Sequence, residues 1–333
     1  MDTEYIAQII KSDKNFPLGK CITPLEIINK EKIELQDVKI VYNLLNQCDD
    51  ADSYLINLKV KFAQLEPIKY YLSYSGGKDS HLLYWFIKEY LKDDKIMIVG
   101  INTYMEHHEI LQRILKNSDV VLYPTLKPFE IKAKYGSPCF SKMQDDIIDR
   151  YQRGSRARST MERIYGLDSA GRDWTKYKLN NTAKTKLLDG TLHRVSPKCC
   201  KYLKKEPARL FEKRTGLKPI LGVRGGESAL RKSKYKSCFT KDGKFTPIHD
   251  LSDELLDKIY EKYNIEIPEV YNHICRTGCM GCPYGSYKHD TEKELKLISK
   301  NQLKFVCEYF RESYEVLGIK VDEEEGNIKD ENN

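Results

Sequence analysis

Between Tyr70 and Tyr90 the chain reads YYLSYSGGKDSHLLYWFIKEY, and its centre, Ser75-Gly76-Gly77-Lys78-Asp79-Ser80, gathers residue types that handle anions. Glycine lets the backbone approach a ligand closely and adopt φ > 0. A helix start leaves N–H groups carrying partial positive charge, and Lys78 adds a full one. Ser75 offers a hydroxyl, and Asp79 or Ser80 is expected to cap the helix. What binds there should be an anion, phosphate first. The pattern is not the P-loop with GK[ST], because Asp79 follows the lysine and the glycine spacing differs.

The second chemical group is sulfur. Cys199 and Cys200 stand side by side in PKCCKYLKKEP, and Cys275, Cys279 and Cys282 fall within HICRTGCMGCPYG. The turn Cys279-Met-Gly-Cys282 lets two thiolates converge, Gly281 and Pro283 suit its tight backbone, and the surrounding lysines and arginine favour thiolate. Two such pairs can make a four-cysteine site for zinc or an iron–sulfur cluster. Adjacent cysteines are unusual for structural zinc, which puts iron–sulfur ahead. Of the others, Cys307 in KFVCEYF sits on a helical apolar pattern and reads as core, while Cys139 in YGSPCFSK reads as an exposed loop residue with no role. Cys21, Cys48 and Cys238 lack sequence partners. The N-terminus has no apolar signal core, so the chain is expected to be cytoplasmic and its ten cysteines ligands, reactive groups or core rather than disulfides.

The elements that must hold these groups alternate. Tyr70–Tyr74 has the composition of a buried strand, and Leu82, Leu83, Trp85, Phe86 and Tyr90 recur at helical spacing. KIMIVGIN is a second strand, HHEILQRILKNS a helix, DVVLYP a third strand, and Pro219–Val223 another. The pattern predicts an α/β fold with a doubly wound, mostly parallel sheet and its ligand site at the C-terminal strand ends. Residues 1–66 read as a helical N-terminal extension, 67–312 as the main domain with a Cys-rich part, and 313–333 as an acidic, disordered tail. The composition, 40% hydrophobic and 32% charged with net charge +7, suits nucleotide phosphates and permits nucleic acid without requiring it. No apolar stretch approaches membrane-spanning length. Arg150, Arg153, Arg156 and Arg158 either contact phosphates or form a solvated helical face.

SGGKDS resembles the PP-loop of the N-type ATP pyrophosphatases, also called adenine nucleotide alpha-hydrolases. The later segments resemble the phosphoadenosine-phosphosulfate (PAPS) reductase-like branch. GVRGGESALR looks like that family's segment beside the nucleotide, which implies phosphate or sulfate contacts from Arg224 and Arg231. FTPIHDLSDELLDKIYEKYNIEIP extends the likeness, which covers roughly residues 68 to 310. The family's acidic residue after its second strand implies that Glu106 or Glu109 faces the nucleotide, against a plain solvated loop. His107 and His108 are weaker candidates. The tandem cysteines with a distant CxxC resemble the [4Fe–4S] arrangement of assimilatory adenylyl-sulfate reductases, which nominates Cys199, Cys200, Cys279 and Cys282. Cys275 departs from that pattern, as a replacement ligand or a sulfur-carrying thiol.

One departure decides the activity expected. The reductases carry a nucleophilic cysteine in a C-terminal Glu-Cys-Gly-Leu-His motif, and no cysteine follows Cys307. The resemblance therefore implies an ATP-dependent, AMP- and pyrophosphate-forming sulfurtransferase. Ser75, Gly76, Gly77, Lys78, Asp79, Ser80, Arg224 and Arg231 would bind nucleotide, with Lys78, Asp79, Arg224 and Cys275 catalytic. Its cofactors would be ATP (or adenylyl sulfate), Mg²⁺ and a [4Fe–4S] cluster, with zinc as the alternative. A cysteine desulfurase or small thiol would donate sulfur, and tRNA, DNA or a small molecule would accept it. The alternatives are adenylyl-sulfate or phosphoadenylyl-sulfate reduction with Cys275 as nucleophile, and a nucleotide- or nucleic-acid-binding module braced by zinc.

Overall fold

A computed structural model describes residues 50–321 apart from 169, 174–177, 228, 276 and 287–289. Most of the expected N-terminal extension, and the acidic stretch from 322 on, lie outside the described residues. The described chain forms two compact units. One comprises residues 50–100, Arg113–Val121 and Leu210–Ile267; the other comprises Ile101–Gln112, Leu122–Arg209 and 268–321.

The first unit is α/β. Strands β1 (Tyr70–Tyr74), β2 (Met97–Ile101), β3 (Val120–Leu122) and β4 (Lys218–Leu221) form an all-parallel sheet in the order β3-β2-β1-β4. The last residues of β2 and β3 belong to the other unit. Tyr71 pairs with Met97 on one side of β1 and with Pro219 on the other. Successive side chains point to opposite faces of a sheet, so burial of both Tyr71 and Leu72 leaves neither face of β1 solvated, which is why the strand reads as nearly all aromatic and apolar. Tyr71 and Leu72 are buried, as are Ile98, Val99 and Ile220 on its neighbours. Helices Asp50–Ala63, Lys78–Trp85 and Asp253–Lys262 supply the covering apolar faces. Phe62 packs on Phe86 and on Phe245 at 5.2 and 5.3 Å between ring centroids. The apolar side of the last helix, Leu256, Ile259 and Tyr260, is buried as its spacing predicts.

A polar relay runs through this unit. His81 Nδ1 lies 2.9 Å from the Tyr74 hydroxyl, which also accepts from Asn117 at 3.1 Å. Burial, and then the nearby Arg113 charge, pull the His81 pKa down to about 3. The folded state therefore resists protonation that the unfolded chain accepts near the ordinary value of 6.5. The stability this group confers is complete above that value and drains away as pH falls from 6.5 toward 3. Between pH 7 and pH 4 the loss from this residue is about 3 kcal/mol. Urea unfolding of His81→Gln should show a correspondingly shallower acid slope than the parent.

The second unit is mainly helical around two apolar clusters. One gathers Phe140, Ile147, Ile148, Ile164, Leu179 and Val195 with Cys139. The other gathers Leu203, Met280, Leu295, Leu303, Val306, Tyr309 and Tyr314 with Cys199 and Cys307. The helix Lys300–Leu317 runs past residue 312 and buries Ser313 and Tyr314. Its first turn is closed by a capping box between Ser299 and Gln302. Cys307 is buried, matching the core role read from its pattern. Cys139 is not exposed: its thiol is buried and pushed up to about 12, first by burial and then by Asp145. A loop proline says nothing about what folds over the next residue. In the first unit Cys238 is disulfide-bonded, contrary to the expectation drawn from composition. No described helix is long and apolar enough to cross a membrane.

Candidate functional site

The loop after β1 is built by its own hydroxyls. Gly76 takes φ +73°, a conformation that costs a side-chain-bearing residue roughly 1–2 kcal/mol. Ser80 Oγ accepts the Ser75 N–H at 3.2 Å, lies 3.0 Å from Ser75 Oγ and donates to the Gly77 carbonyl at 3.0 Å. Ser80 thus folds the loop rather than capping the helix, and Asp79 does not cap it either. Gly77 is the extended N-cap and makes no side-chain cap bond. The first turn of Lys78–Trp85 so presents its N–H groups and the Lys78 ammonium together at the C-terminal end of a central parallel strand.

Neighbouring segments brace this turn. Tyr260 donates to the Lys78 carbonyl at 2.6 Å, and Lys78 Nζ lies 3.5 Å from Asp257. Gly222, just past β4, approaches so closely that an added Cβ would stand 2.8 Å from the Ser80 nitrogen and 2.9 Å from the Asp79 carbonyl carbon. Here only glycine fits, for want of space rather than for a special φ. Arg224 is buried and bracketed by carboxylates, Nε to Asp79 at 2.7 Å and Nη1 to Asp253 at 2.6 Å. Burial opposes its charge, and the Asp79 and Asp253 carboxylates more than restore it. In this arrangement Arg224 fastens the loop after β4 to the helix start. Arg231 lies on the short helix Ala229–Lys234 that follows.

In the second unit Cys199, Cys200, Cys279 and Cys282 meet on one apolar cluster, and Cys275 is exposed outside it. The four thiols are close enough to perturb one another. Cys199 is pushed up by its hydrogen bond with Cys200 and by burial. Cys200 is pulled down by that same bond, with the Lys142 and Lys204 charges assisting. Burial pushes Cys279 and Cys282 up, and Lys204 works against it at both. The Lys204 ammonium is itself strengthened, first by Cys279, with Glu106, Cys200 and Cys282 adding to it. Among the described residues no three ligating side chains already stand as a coordination shell. The donor set nevertheless suits a thiophilic centre: four sulfurs with cations beside them, since four thiolates around Zn²⁺ or a [4Fe–4S]²⁺ core leave a net negative charge.

The Cys279–Cys282 turn is held by groups that its sequence does not advertise. Gly281 has φ +56°, and a Cβ there would meet Tyr314 Oη, Val306 and Leu295 at 2.4–2.8 Å. Its N–H donates to Glu294 Oε1 at 3.2 Å, its carbonyl accepts from Tyr314 at 2.5 Å, and Met280 N–H donates to the Met105 carbonyl at 2.7 Å. Glu294 is buried and also meets His107 Nε2 at 2.8 Å. His107 thus supports the turn through a carboxylate. Tyr284, in the turn after Cys282, donates to the fully buried Asp145 at 2.6 Å. Asp145 also accepts from the Cys139 and Phe140 amides, and burial lifts its pKa to about 6.

The remaining candidates have partners of their own. Glu106 is buried and accepts from the Thr103 amide and hydroxyl at 3.0 and 2.6 Å; Glu109 accepts from Val270 N–H at 3.2 Å. Arg150, Arg153 and Arg158 pair with Asp146, Asp149 and Glu162 one helical turn away, and Arg156 stacks 3.9 Å over Tyr151. Those ion pairs fit the solvated-face reading of the arginines. Neither a family model nor a curated protein matches the chain.

Proposed function

We propose that the protein is a PP-loop enzyme of the PAPS reductase-like family that adenylylates an acceptor and replaces the activated oxygen with sulfur. The observation that carries this is the glycine turn after β1, where a helix start with glycine as its N-cap, the Lys78 ammonium and two serine hydroxyls converge. That set suits a polyphosphate. The Lys78–Trp85 N-terminus and Lys78 would hold the β- and γ-phosphates, and Mg²⁺, when bound, would screen their charge. An acceptor oxygen attacks the α-phosphorus and pyrophosphate leaves, its growing charge met by Lys78 and the helix amides. Arg224 acts one step back, keeping Asp79 and the helix start in place. The terminal sulfur of a persulfide charged by a desulfurase then displaces AMP from the adenylylated acceptor, and a small thiol attacks the resulting S–S bond, leaving the sulfur on the acceptor and departing as part of a disulfide.

Cys199, Cys200, Cys279 and Cys282 would hold a [4Fe–4S] cluster, with zinc as the competing occupant. When bound, the cluster supplies a thiophilic centre for sulfur delivery. Cys275 is exposed and outside that cluster of thiols, which suits a sulfur carrier. The same exposure keeps a second reading in view, since a solvent-facing thiol could attack the sulfonyl sulfur of adenylyl sulfate. Incubation with adenylyl sulfate, phosphoadenylyl sulfate and thioredoxin separates the two. No sulfite should appear; release at about one turnover per second or more, lost in Cys275→Ser, would make the protein a reductase instead.

A further inference from the structure

The second unit carries a basic stretch that, Lys204 apart, neither the phosphate loop nor the thiols use. From Lys178 to Arg209 nine lysines and arginines stand against two acids, Asp189 and Glu206. Within it, Lys198 and Lys201 lie over aromatic rings, 4.7 Å from the centre of Tyr135 and 5.1 Å from that of Tyr202. Lys134 lies 5.4 Å from Tyr135, and Lys198 also reaches Asp149 at 3.5 Å. The two rings are stacked, 4.9 Å apart and 8° from parallel, with their hydroxyls 2.8 Å apart.

A second tyrosine pair is open to solvent. Tyr104 and Tyr123 are 40% and 51% exposed, with ring centroids 6.1 Å apart. Tyr104 holds φ +66°, and its N–H donates to Asn102 Oδ1 at 2.8 Å. A tyrosine held in the left-handed region while two fifths of its surface stays in water is strain with little packing return, the kind that persists at functional sites. Both pairs border one segment. Tyr135 bonds Tyr202, and Thr125 Oγ1, two residues past Tyr123, donates to Glu206 at 3.0 Å. The segment between, Lys201–Lys205, is a π-helical turn directly after Cys199 and Cys200.

We propose that this face binds single-stranded nucleic acid, with bases on Tyr104 and Tyr123 and phosphates on Lys134, Lys198 and Lys201. Exposed rings and ammonium groups on one unit suit unstacked bases on a polyanion. A duplex, whose bases are already stacked, offers the rings nothing. The inference rests on the sulfur-transfer reading only where it makes the acceptor a nucleotide within a strand; the binding stands without it.

The test is fluorescence anisotropy of the full chain with labelled oligothymidine and oligouridine of about 12 nucleotides. Binding should weaken as salt rises. Tyr104→Ala and Tyr123→Ala should each weaken it about tenfold, Tyr123→Phe should restore it, and Lys198→Glu and Lys201→Glu should flatten the salt dependence. All these variants should bind Mg·ATP like the parent. Tighter binding of one oligonucleotide assigns RNA or DNA. The proposal is overturned if the parent prefers a duplex of equal length or binds neither strand, or if well-folded tyrosine variants bind unchanged. A parent that binds strands but not ATP sinks the sulfur-transfer reading alone; one that cleaves ATP but binds no strand sinks this inference alone.

Discussion

Cys279→Ser or Cys282→Ser is expected to empty the thiol site. A lost hydrogen bond behind a ligand costs roughly 10–100-fold in metal affinity, and loss of a ligand itself should cost more. Protein made and purified without oxygen should be brown and contain iron and sulfide, and either serine variant should be colourless. Cys199→Ser and Cys200→Ser should behave alike, because both thiols lie on the same apolar cluster as the CxxC turn. Cys275→Ser should keep the metal and lose sulfur transfer. Iron, sulfide and zinc analysis of the parent and the five variants checks this. Stoichiometric zinc in the anaerobic parent, or metal lost with Cys275 and kept without Cys199, would contradict the assignment.

Lys78→Ala should weaken Mg·ATP binding by about 1–3 kcal/mol, the scale of a charged hydrogen bond. Gly76→Val should also weaken it, by forcing a β-branched residue into φ +73° and so moving the amides that follow. Calorimetry reads both. Arg224→Lys makes the informative contrast. It keeps the charge but not the planar fork that spans Asp79 and Asp253, so it should lower the helix's stability as well as nucleotide affinity. Unchanged ATP affinity in Lys78→Ala and Gly76→Val would remove the loop from the site.

The loop and its two flanking elements were legible because their signals are local. An aromatic-apolar run, two glycines and a 3.6-residue repeat predict a strand, a turn and a helix, and Tyr70–Tyr74 and Lys78–Trp85 are where they fall. KIMIVGIN and DVVLYP likewise contain β2 and β3. Sheet order was not legible, because the pairing of β1 with β4 joins residues far apart in sequence and nothing within either strand names its partner. The supports of the CxxC turn were hidden for another reason. Glu294 sits in TEKEL, which reads as a solvated helix, and only tertiary packing buries it against His107 and Gly281. Arg224 was found as a residue, but not its partners. A guanidinium placed to meet phosphate and one placed to meet two carboxylates look the same in sequence.

The central claim is cleavage between the α- and β-phosphates of ATP by the glycine turn after β1. Protein incubated with Mg²⁺ and ATP labelled at the α-phosphorus, its products then separated by chromatography, tests it directly. The account predicts labelled AMP with an equal yield of pyrophosphate, slow for the protein alone, faster with an acceptor, and absent in Lys78→Ala. Labelled ADP with inorganic phosphate would contradict it.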